Sequence, residues 1–205
     1  MRSKLVIIIL LSFLLGAAGG LLLHVSGIWG GGSSIPRAKT SGTVLIGGPF
    51  TMLNTDGETV THETFAGRFT LVFFGFTNCP DVCPASLQVA GEALEKRGPL
   101  AKKVVPIFVS VDPARDTPGV LKVYLGNFDS RITGLTGSEG QMREMVKAYR
   151  VYVNAGEPDS DGYYAVDHST FMYLMGPDGR YAAHFPYGIQ GDALADRIRP
   201  LLQQG

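Results

Sequence analysis

The 205-residue chain contains only two cysteines and no excess of charge of either sign. Two cysteines exclude a scaffold held together by many disulfides, and they exclude a structural zinc site with four thiolate ligands. The 18 basic and 18 acidic residues cancel, so no basic field exists that would attract nucleic acid. What remains is an ordinary globular composition and a length that suits one domain plus an attachment.

Long apolar runs are equally scarce, since the only one extends from Leu5 to Leu23, directly after Arg2 and Lys4. At about 1.5 Å per helical residue, this run is long enough to span a hydrocarbon core of about 30 Å. The positive-inside rule leaves the N-terminus in the cytoplasm and the rest of the chain outside. We therefore predict one transmembrane helix as an uncleaved anchor in residues 1–25. Cleavage as a signal peptide near Gly16-Ala17-Ala18 is the less favoured alternative.

The remaining chain is predicted to be a flexible linker, 26–42, followed by one folded domain, 43–205. Strand and helix patterns alternate within the domain. The predicted strands are 50–53, 60–62, 70–76, 104–111, 170–175 and 181–185. The predicted helices are 85–96, one from the Thr117 cap to 128, one from the Ser138 cap to 149 and one from the Asp192 cap to 202. This order predicts an α/β three-layer sandwich with a mixed β-sheet, as in a thioredoxin-like fold.

Cys79 and Cys83 lie where the buried strand 70–76 is followed by the helix 85–96. This point is the C-terminal edge of a parallel strand, where functional groups of open α/β sheets gather. It is also a helix N-terminus, whose dipole lowers the pKa of a nearby thiol. A plain disulfide here would close too short a loop to stabilise the fold much. Metal binding or thiol–disulfide exchange therefore explains the pair better.

His168 is predicted to lie at the same edge of the sheet. The strand 170–175 opens a hairpin and should run antiparallel to strand 70–76, so its beginning meets the end of the other. Two thiolates and one imidazole form a donor set that suits Cu(I) and can also hold Cu(II). Zinc would need a fourth ligand or an open water position with catalytic partners. The sequence therefore predicts one copper ion at Cys79, Cys83 and His168.

The loop after the second buried strand leaves from this edge as well. Its charged residues are candidates for orienting the ligands: Asp112, Arg115 and Asp116. Asp167 is a further candidate beside His168. Because neighbours in an extended chain point to opposite sides, Asp167 is not expected to orient the imidazole directly.

Other residues with suitable side chains have ordinary explanations. The remaining histidines are expected to be structural or solvated, namely His24, His62 and His184. Met172 and Met175 belong to a predicted strand and are expected to pack in the core. The acidic run 157–162 is expected to be a hairpin tip, because it lacks the distal glutamate of a calcium loop.

Five segments of the domain together form a specific pattern: 46–50 (IGGPF), 74–84 (FGFTNCPDVCP), 111–118 (VDPARDTP), 164–169 (YAVDHS) and 172–179 (MYLMGPDG). In these segments the sequence closely resembles the Sco (SenC) family of copper chaperones for cytochrome c oxidase assembly. The resemblance implies copper bound by Cys79, Cys83 and His168, and its delivery to the binuclear copper site of oxidase subunit II. It also implies that the two cysteines cycle between thiols and a disulfide.

A metallochaperone of this kind is not expected to be an enzyme, and a copper donor protein and a thiol reductant would be its further partners. No Arg- and Ser-rich transit segment precedes the apolar run, so we expect the bacterial inner membrane, with the domain in the periplasm, rather than the mitochondrial inner membrane. The main alternative is a periplasmic thiol–disulfide oxidoreductase acting on the cysteines of the same or another target. The third hypothesis is a structural domain whose two cysteines form an incidental disulfide.

Overall fold

The structure of the protein is a computed structural model that describes residues 45–204. Its strands in this range are β1 Thr51–Asn54, β2 Thr59–Thr61, β3 Phe69–Gly75, β4 Val104–Ser110, β5 Thr133–Thr136, β6 Val153–Ala155, β7 Val166–His168, β8 Met172–Met175 and β9 Tyr181–Phe185. Its α-helices are α1 Val82–Glu95, α2 Pro118–Leu125, α3 Glu139–Tyr149 and α4 Gly191–Gln204, and 3-10 helices cover His62–Phe65 and Gly98–Lys103.

The predicted anchor and linker, 1–25 and 26–42, lie outside the described residues. Within 45–204, no helix is both long enough and apolar enough to cross a membrane.

Seven strands form one mixed sheet in the order β2-β1-β5-β4-β3-β8-β9. β3 is parallel to β4 and β4 to β5, whereas β8 is antiparallel to both β3 and β9. Every residue of β3 and β4 is buried, as expected of strands that are covered on both faces of a sheet. The predicted parallel pair and the predicted antiparallel return strand are both confirmed.

The two faces of β3 pack against different helices. On one face, the ring of Phe73 lies 6.2 Å from that of Phe108, which lies 5.9 Å from that of Tyr124 in α2. On the other face, the ring of Phe74 lies 5.3 Å from that of Tyr149 at the end of α3. The helix α4 packs against α1. Helices thus cover both faces of the mixed sheet, which confirms the predicted thioredoxin-like α/β fold.

Two helices begin where their caps predict. The Thr117 hydroxyl accepts from the N–H of Val120 at 3.4 Å, and Pro118 occupies the first helical position. Ser138 and Gln141 form a reciprocal capping box, with hydrogen bonds of 2.8 and 3.3 Å. These side chains satisfy N–H groups that the helix itself leaves unpaired.

Two predicted helix starts are wrong. The helix α1 begins at Val82 rather than at residue 85 and contains the second cysteine. Pro84 fits there because an N–H in the first turn has no partner within the helix. The last helix begins at Gly191, so Asp192 lies in its first turn instead of at its cap.

The sequence does not predict β5, β6 or β7. β5 is four residues long and takes its strand geometry from its neighbours β1 and β4. β6 and β7 have three residues each and form a separate antiparallel pair. We call residues 153–168 the histidine ribbon, because His168 is the last residue of β7 rather than part of a loop.

Candidate metal centre

The two cysteines lie at the exit of the central strand. After β3, the N–H of Cys79 donates to the carbonyl of Phe76 at 3.2 Å, and α1 follows. The N–H of Cys83 donates to the sulfur of Cys79 at 3.4 Å. Both residues are free thiols. One sulfur therefore lies just before the first turn of a helix and the other within that turn.

Cys83 is fully buried, whereas Cys79 is partly exposed. Gly75 makes this burial feasible, because a Cβ at that position would lie 2.7 Å from both the sulfur of Cys83 and the ring of Phe108. Burial raises the pKa of the Cys83 thiol. The prediction of a lowered thiol pKa is therefore wrong for Cys83, because loss of solvation outweighs the backbone hydrogen bond that lowers the pKa. Cys83 keeps its proton until a metal ion displaces it.

His168, the last residue of the histidine ribbon, lies beside the cysteines. Its Nδ1 lies 3.0 Å from the carbonyl oxygen of Ser169, which can only accept, so Nδ1 carries the ring proton. Burial lowers the pKa of His168, so the ring is neutral at pH 7 and Nε2 has a free lone pair. That atom lies 3.8 Å from the sulfur of Cys83. The rings of Phe73 and Phe76 pack against the imidazole at 6.2 and 5.8 Å.

The three predicted ligand atoms converge. The two sulfurs and a ring nitrogen of His168 all lie within 4.8 Å of one another. A thiolate and an imidazole on one metal, at about 2.3 and about 2.0 Å as on zinc, are at most about 4.3 Å apart. The 3.8 Å between the sulfur of Cys83 and Nε2 fits this limit. The donor set is soft, and Cu(I) is the ion it suits best.

Asp116 is completely buried and contacts the beginning of residues 77–83, which we call the cysteine turn. Its Oδ2 accepts from the N–H of Thr77 at 3.0 Å and from the hydroxyl of Ser110 at 2.7 Å. Its Oδ1 accepts from the hydroxyl of Thr77 at 2.6 Å. Burial raises the pKa of Asp116, while these hydrogen bonds act in the opposite direction. The carboxyl group therefore binds the first residue of the turn rather than a metal ligand.

Asp112 and Arg115 contact the chain that carries the histidine. They form an ion pair, and the hydroxyl of Tyr164 donates to Asp112 at 2.7 Å. The guanidinium of Arg115 lies 3.7 Å from the centre of the Tyr164 ring and donates to the Tyr164 carbonyl at 3.0 Å. Asp167, by contrast, is exposed. The ring proton of His168 goes to Ser169 instead, in agreement with the alternation expected along a strand.

Sequence reasoning misses Tyr164 and Thr77 as parts of this site. Thr77 follows directly after the central strand, which is a positional signal that could have identified it. Tyr164 carries no such signal, because it lies in an irregular segment, and its contact with Arg115 crosses 49 positions.

The other candidate residues lie elsewhere. His62 borders a cavity of about 330 Å³ that Phe50 and Tyr149 also line, on the face of the sheet away from the cysteines. His184 is exposed and hydrogen-bonds the hydroxyl of Tyr181. Both strand methionines are buried in the core, as predicted: Met172 and Met175. The run 157–162 lies in the connection of the histidine ribbon, and His24 lies outside the described residues.

The sequence matches known proteins over most of its length. The model of the SCO1/SenC family matches residues 38–203. The SCO2-like protein RP587 of Rickettsia prowazekii is 35% identical in an alignment of 207 positions, which covers 97% of this chain and 98% of that relative. The mitochondrial SCO1 homolog 1 of Arabidopsis thaliana is 36% identical in an alignment of 183 positions, which covers 88% of this chain. The chain spans only 54% of that longer relative.

Solved structures of Sco proteins are similar to this chain as well. The copper-bound ScoI of Bradyrhizobium japonicum is 42% identical, with a TM-score of 0.70 over 76% of this chain and 98% of that one. The protein BsSco, described with a disulfide switch and as a member of the Sco family of cytochrome c oxidase assembly proteins, is 27% identical. Its TM-score is 0.63 over 80% of this chain and 98% of that one.

Proposed function

Because the chain belongs to the SCO1/SenC family, we propose that it is a copper metallochaperone rather than an enzyme and that it acts in cytochrome c oxidase assembly. The observation that carries the proposal is the convergence of the two sulfurs and the imidazole within 4.8 Å. Copper is the cargo of this centre, held by Cys79, Cys83 and His168.

Each ligand has a distinct part in binding. His168 offers a lone pair on Nε2, because Nδ1 is engaged with the carbonyl of Ser169. The two thiols must lose their protons to become ligands, so loading releases protons and becomes tighter as the pH rises. One copper ion binds per chain, as Cu(I) in three-coordination and also as Cu(II).

Delivery follows from the unequal exposure of the ligands. Cys83 is fully buried, while Cys79 and His168 are partly exposed. An acceptor can approach the ion from the exposed side and exchange those two ligands before Cys83 is released. We assign the binuclear copper site of oxidase subunit II as the acceptor, with a copper donor protein and a thiol reductant acting earlier.

The proposed location of this chemistry is a membrane surface. The apolar run Leu5–Leu23 with Arg2 and Lys4 before it supports a single-pass protein of the bacterial inner membrane, whose domain lies in the periplasm.

A second function, thiol–disulfide exchange on a target protein, is favoured by the contact of the Cys83 N–H with the sulfur of Cys79. Cys79 is also partly exposed, so its sulfur is accessible to the disulfide of a target protein. His168 has no necessary part in that reaction.

The test is copper titration of the reduced full-length protein in detergent, compared with His168→Ala and with His184→Ala as a matched control. One copper per chain is expected, with affinity at least about 100-fold lower in His168→Ala, which is more than loss of an orienting partner costs. His184→Ala should bind as the wild type does. Equal affinity in all three proteins would refute the three-ligand centre and favour exchange chemistry.

A further inference from the structure

One short loop contacts both halves of the metal centre. Residues 111–117 connect β4 to α2 and contribute Asp112, Arg115 and Asp116. Asp116 contacts the chain that carries the cysteines, and Arg115 contacts the chain that carries the histidine. The two contacts differ in chemistry, so they can be removed separately.

On the cysteine side, every partner of the Asp116 carboxylate is a donor. The N–H and the hydroxyl of Thr77 both point their protons to it, at 3.0 and 2.6 Å. The oxygen of Ser110 already accepts from the N–H of Asp112, so its own proton is free for Asp116 at 2.7 Å. Thr77 is therefore fixed at two atoms, only two positions before Cys79.

On the histidine side, Tyr164 is held at three places. Its ring stacks on the guanidinium of Arg115 at 3.7 Å, its carbonyl accepts from that group at 3.0 Å, and its hydroxyl donates to Asp112 at 2.7 Å. Tyr164 lies just before β7, the strand that ends at His168. These contacts fix where the histidine ribbon meets the body of the domain.

Phe76 joins the two sides. Its ring lies 5.8 Å from the guanidinium carbon of Arg115 and, edge to face, 5.8 Å from the ring of His168. Phe76 also precedes Thr77 and accepts the N–H of Cys79 on its carbonyl. A shift of the loop would therefore reach both the turn that carries the sulfurs and the ring of His168.

We propose that the loop 111–117 sets the distance between the two thiols and the imidazole, through Thr77 on one side and Tyr164 on the other. The proposal rests on copper binding as the function of the centre. Thr77 and Tyr164 are positioning residues that touch no ion. Their effects are separable, because the thiol–disulfide equilibrium depends on the cysteine turn alone, whereas copper binding depends on both sides.

The experiment removes one hydroxyl at a time from the full-length protein. Thr77→Val removes the bond to Oδ1 of Asp116, and Tyr164→Phe removes the bond to Asp112. The matched controls are Thr51→Val, in β1, and Tyr163→Phe, whose side chain is exposed. Two quantities are measured for each protein: the Cu(I) affinity, by competition with a chelator, and the reduction potential of the cysteine pair in the absence of metal.

Tyr164→Phe should weaken Cu(I) binding about tenfold, as loss of a group that orients a ligand does, without changing the reduction potential. Thr77→Val should weaken Cu(I) binding and also shift the thiol–disulfide equilibrium about tenfold toward the disulfide, or about 30 mV, because the freed turn closes more easily. In a His168→Ala background, Tyr164→Phe should have no further effect on affinity, whereas Thr77→Val should retain its effect. Both controls should match the wild type.

Equal Cu(I) affinity of Tyr164→Phe and wild type would overturn the histidine half of the proposal, and an unchanged potential in Thr77→Val would overturn the cysteine half. Arg115→Lys, which keeps the charge but loses the planar stack, should also weaken Cu(I) binding; its potential is not used, because Arg115 contacts Phe76 as well as Tyr164. If the wild type itself binds no Cu(I), the proposed function fails, while the potentials still test the cysteine half.

Discussion

At position 75 the lack of a side chain decides how closely α1 approaches the central strand. The space that a Cβ would need is filled by the sulfur of Cys83 and the ring of Phe108. Neither neighbour can move away easily, since both are fully buried. The glycine is therefore part of the metal centre although it offers no ligand.

Gly75→Ala is expected to lower the free energy of unfolding by about 1–3 kcal/mol, because the added methyl group overpacks this contact. Gly119→Ala is the matched control, since a Cβ there meets nothing within 4 Å and alanine is the better helix former. Urea unfolding of both variants gives the comparison. A Gly75→Ala protein as stable as the control would show that Cys83 and Phe108 have room to shift.

Asp116 is expected to make the free energy of unfolding depend on pH. Burial raises the pKa of Asp116 in the folded chain, so the native state keeps a proton that the unfolded chain loses above about pH 3.9. The contribution of Asp116 to the free energy of unfolding is at its full value below that pH. It is lost as the pH rises through the pKa that Asp116 has in the folded chain. Stability of the wild type relative to Asp116→Asn should therefore fall as the pH is raised from about 4 and then level off.

Urea unfolding at a series of pH values measures this difference, and other titrating groups cancel between the two proteins. An opposite slope, with the wild type gaining on Asp116→Asn as the pH rises, would mean that the three hydrogen bonds to the carboxylate outweigh its burial.

Among the elements, β3 and α1 could be predicted from the sequence, whereas the histidine ribbon could not. A continuous apolar run predicts β3, and the helical spacing of apolar residues predicts α1. These two predictions place Cys79 and Cys83 at the correct edge of the sheet. β6 and β7 have three residues each and form only because they pair with one another. The placement of His168 was predicted from β8 instead, through its antiparallel pairing with β3.

The histidine ribbon and the cysteine turn should be the elements that respond to oxidation. A disulfide between Cys79 and Cys83 offers no thiolate, so the oxidised protein is expected to bind no copper tightly. Closing the bridge should change amide NMR shifts in 77–85 and in the ribbon, and leave the hairpin of β1 and β2 unchanged as an internal control. Copper binding of equal strength in both redox states would remove the thiolates from the centre.

On the scale of the whole molecule, the N-terminal apolar run gives a prediction about where the domain works. The apolar run from Leu5 is long enough to span a bilayer, so the mature protein should retain its first residues. Mass spectrometry of the intact protein, extracted from membranes with detergent, measures this directly. A mature chain that begins near Gly19 would show instead that the segment is a cleaved signal peptide and that the domain is released.

Cys83 and His168 are 85 positions apart, and the strand that brings His168 into place, β8, pairs with β3 only after it has been synthesised. A pairing between such distant segments closes a large loop and cannot form before the later segment is available. A nascent or truncated chain therefore offers two sulfurs but no imidazole. Copper binding through all three ligands should therefore require a chain that has been synthesised and folded through β8.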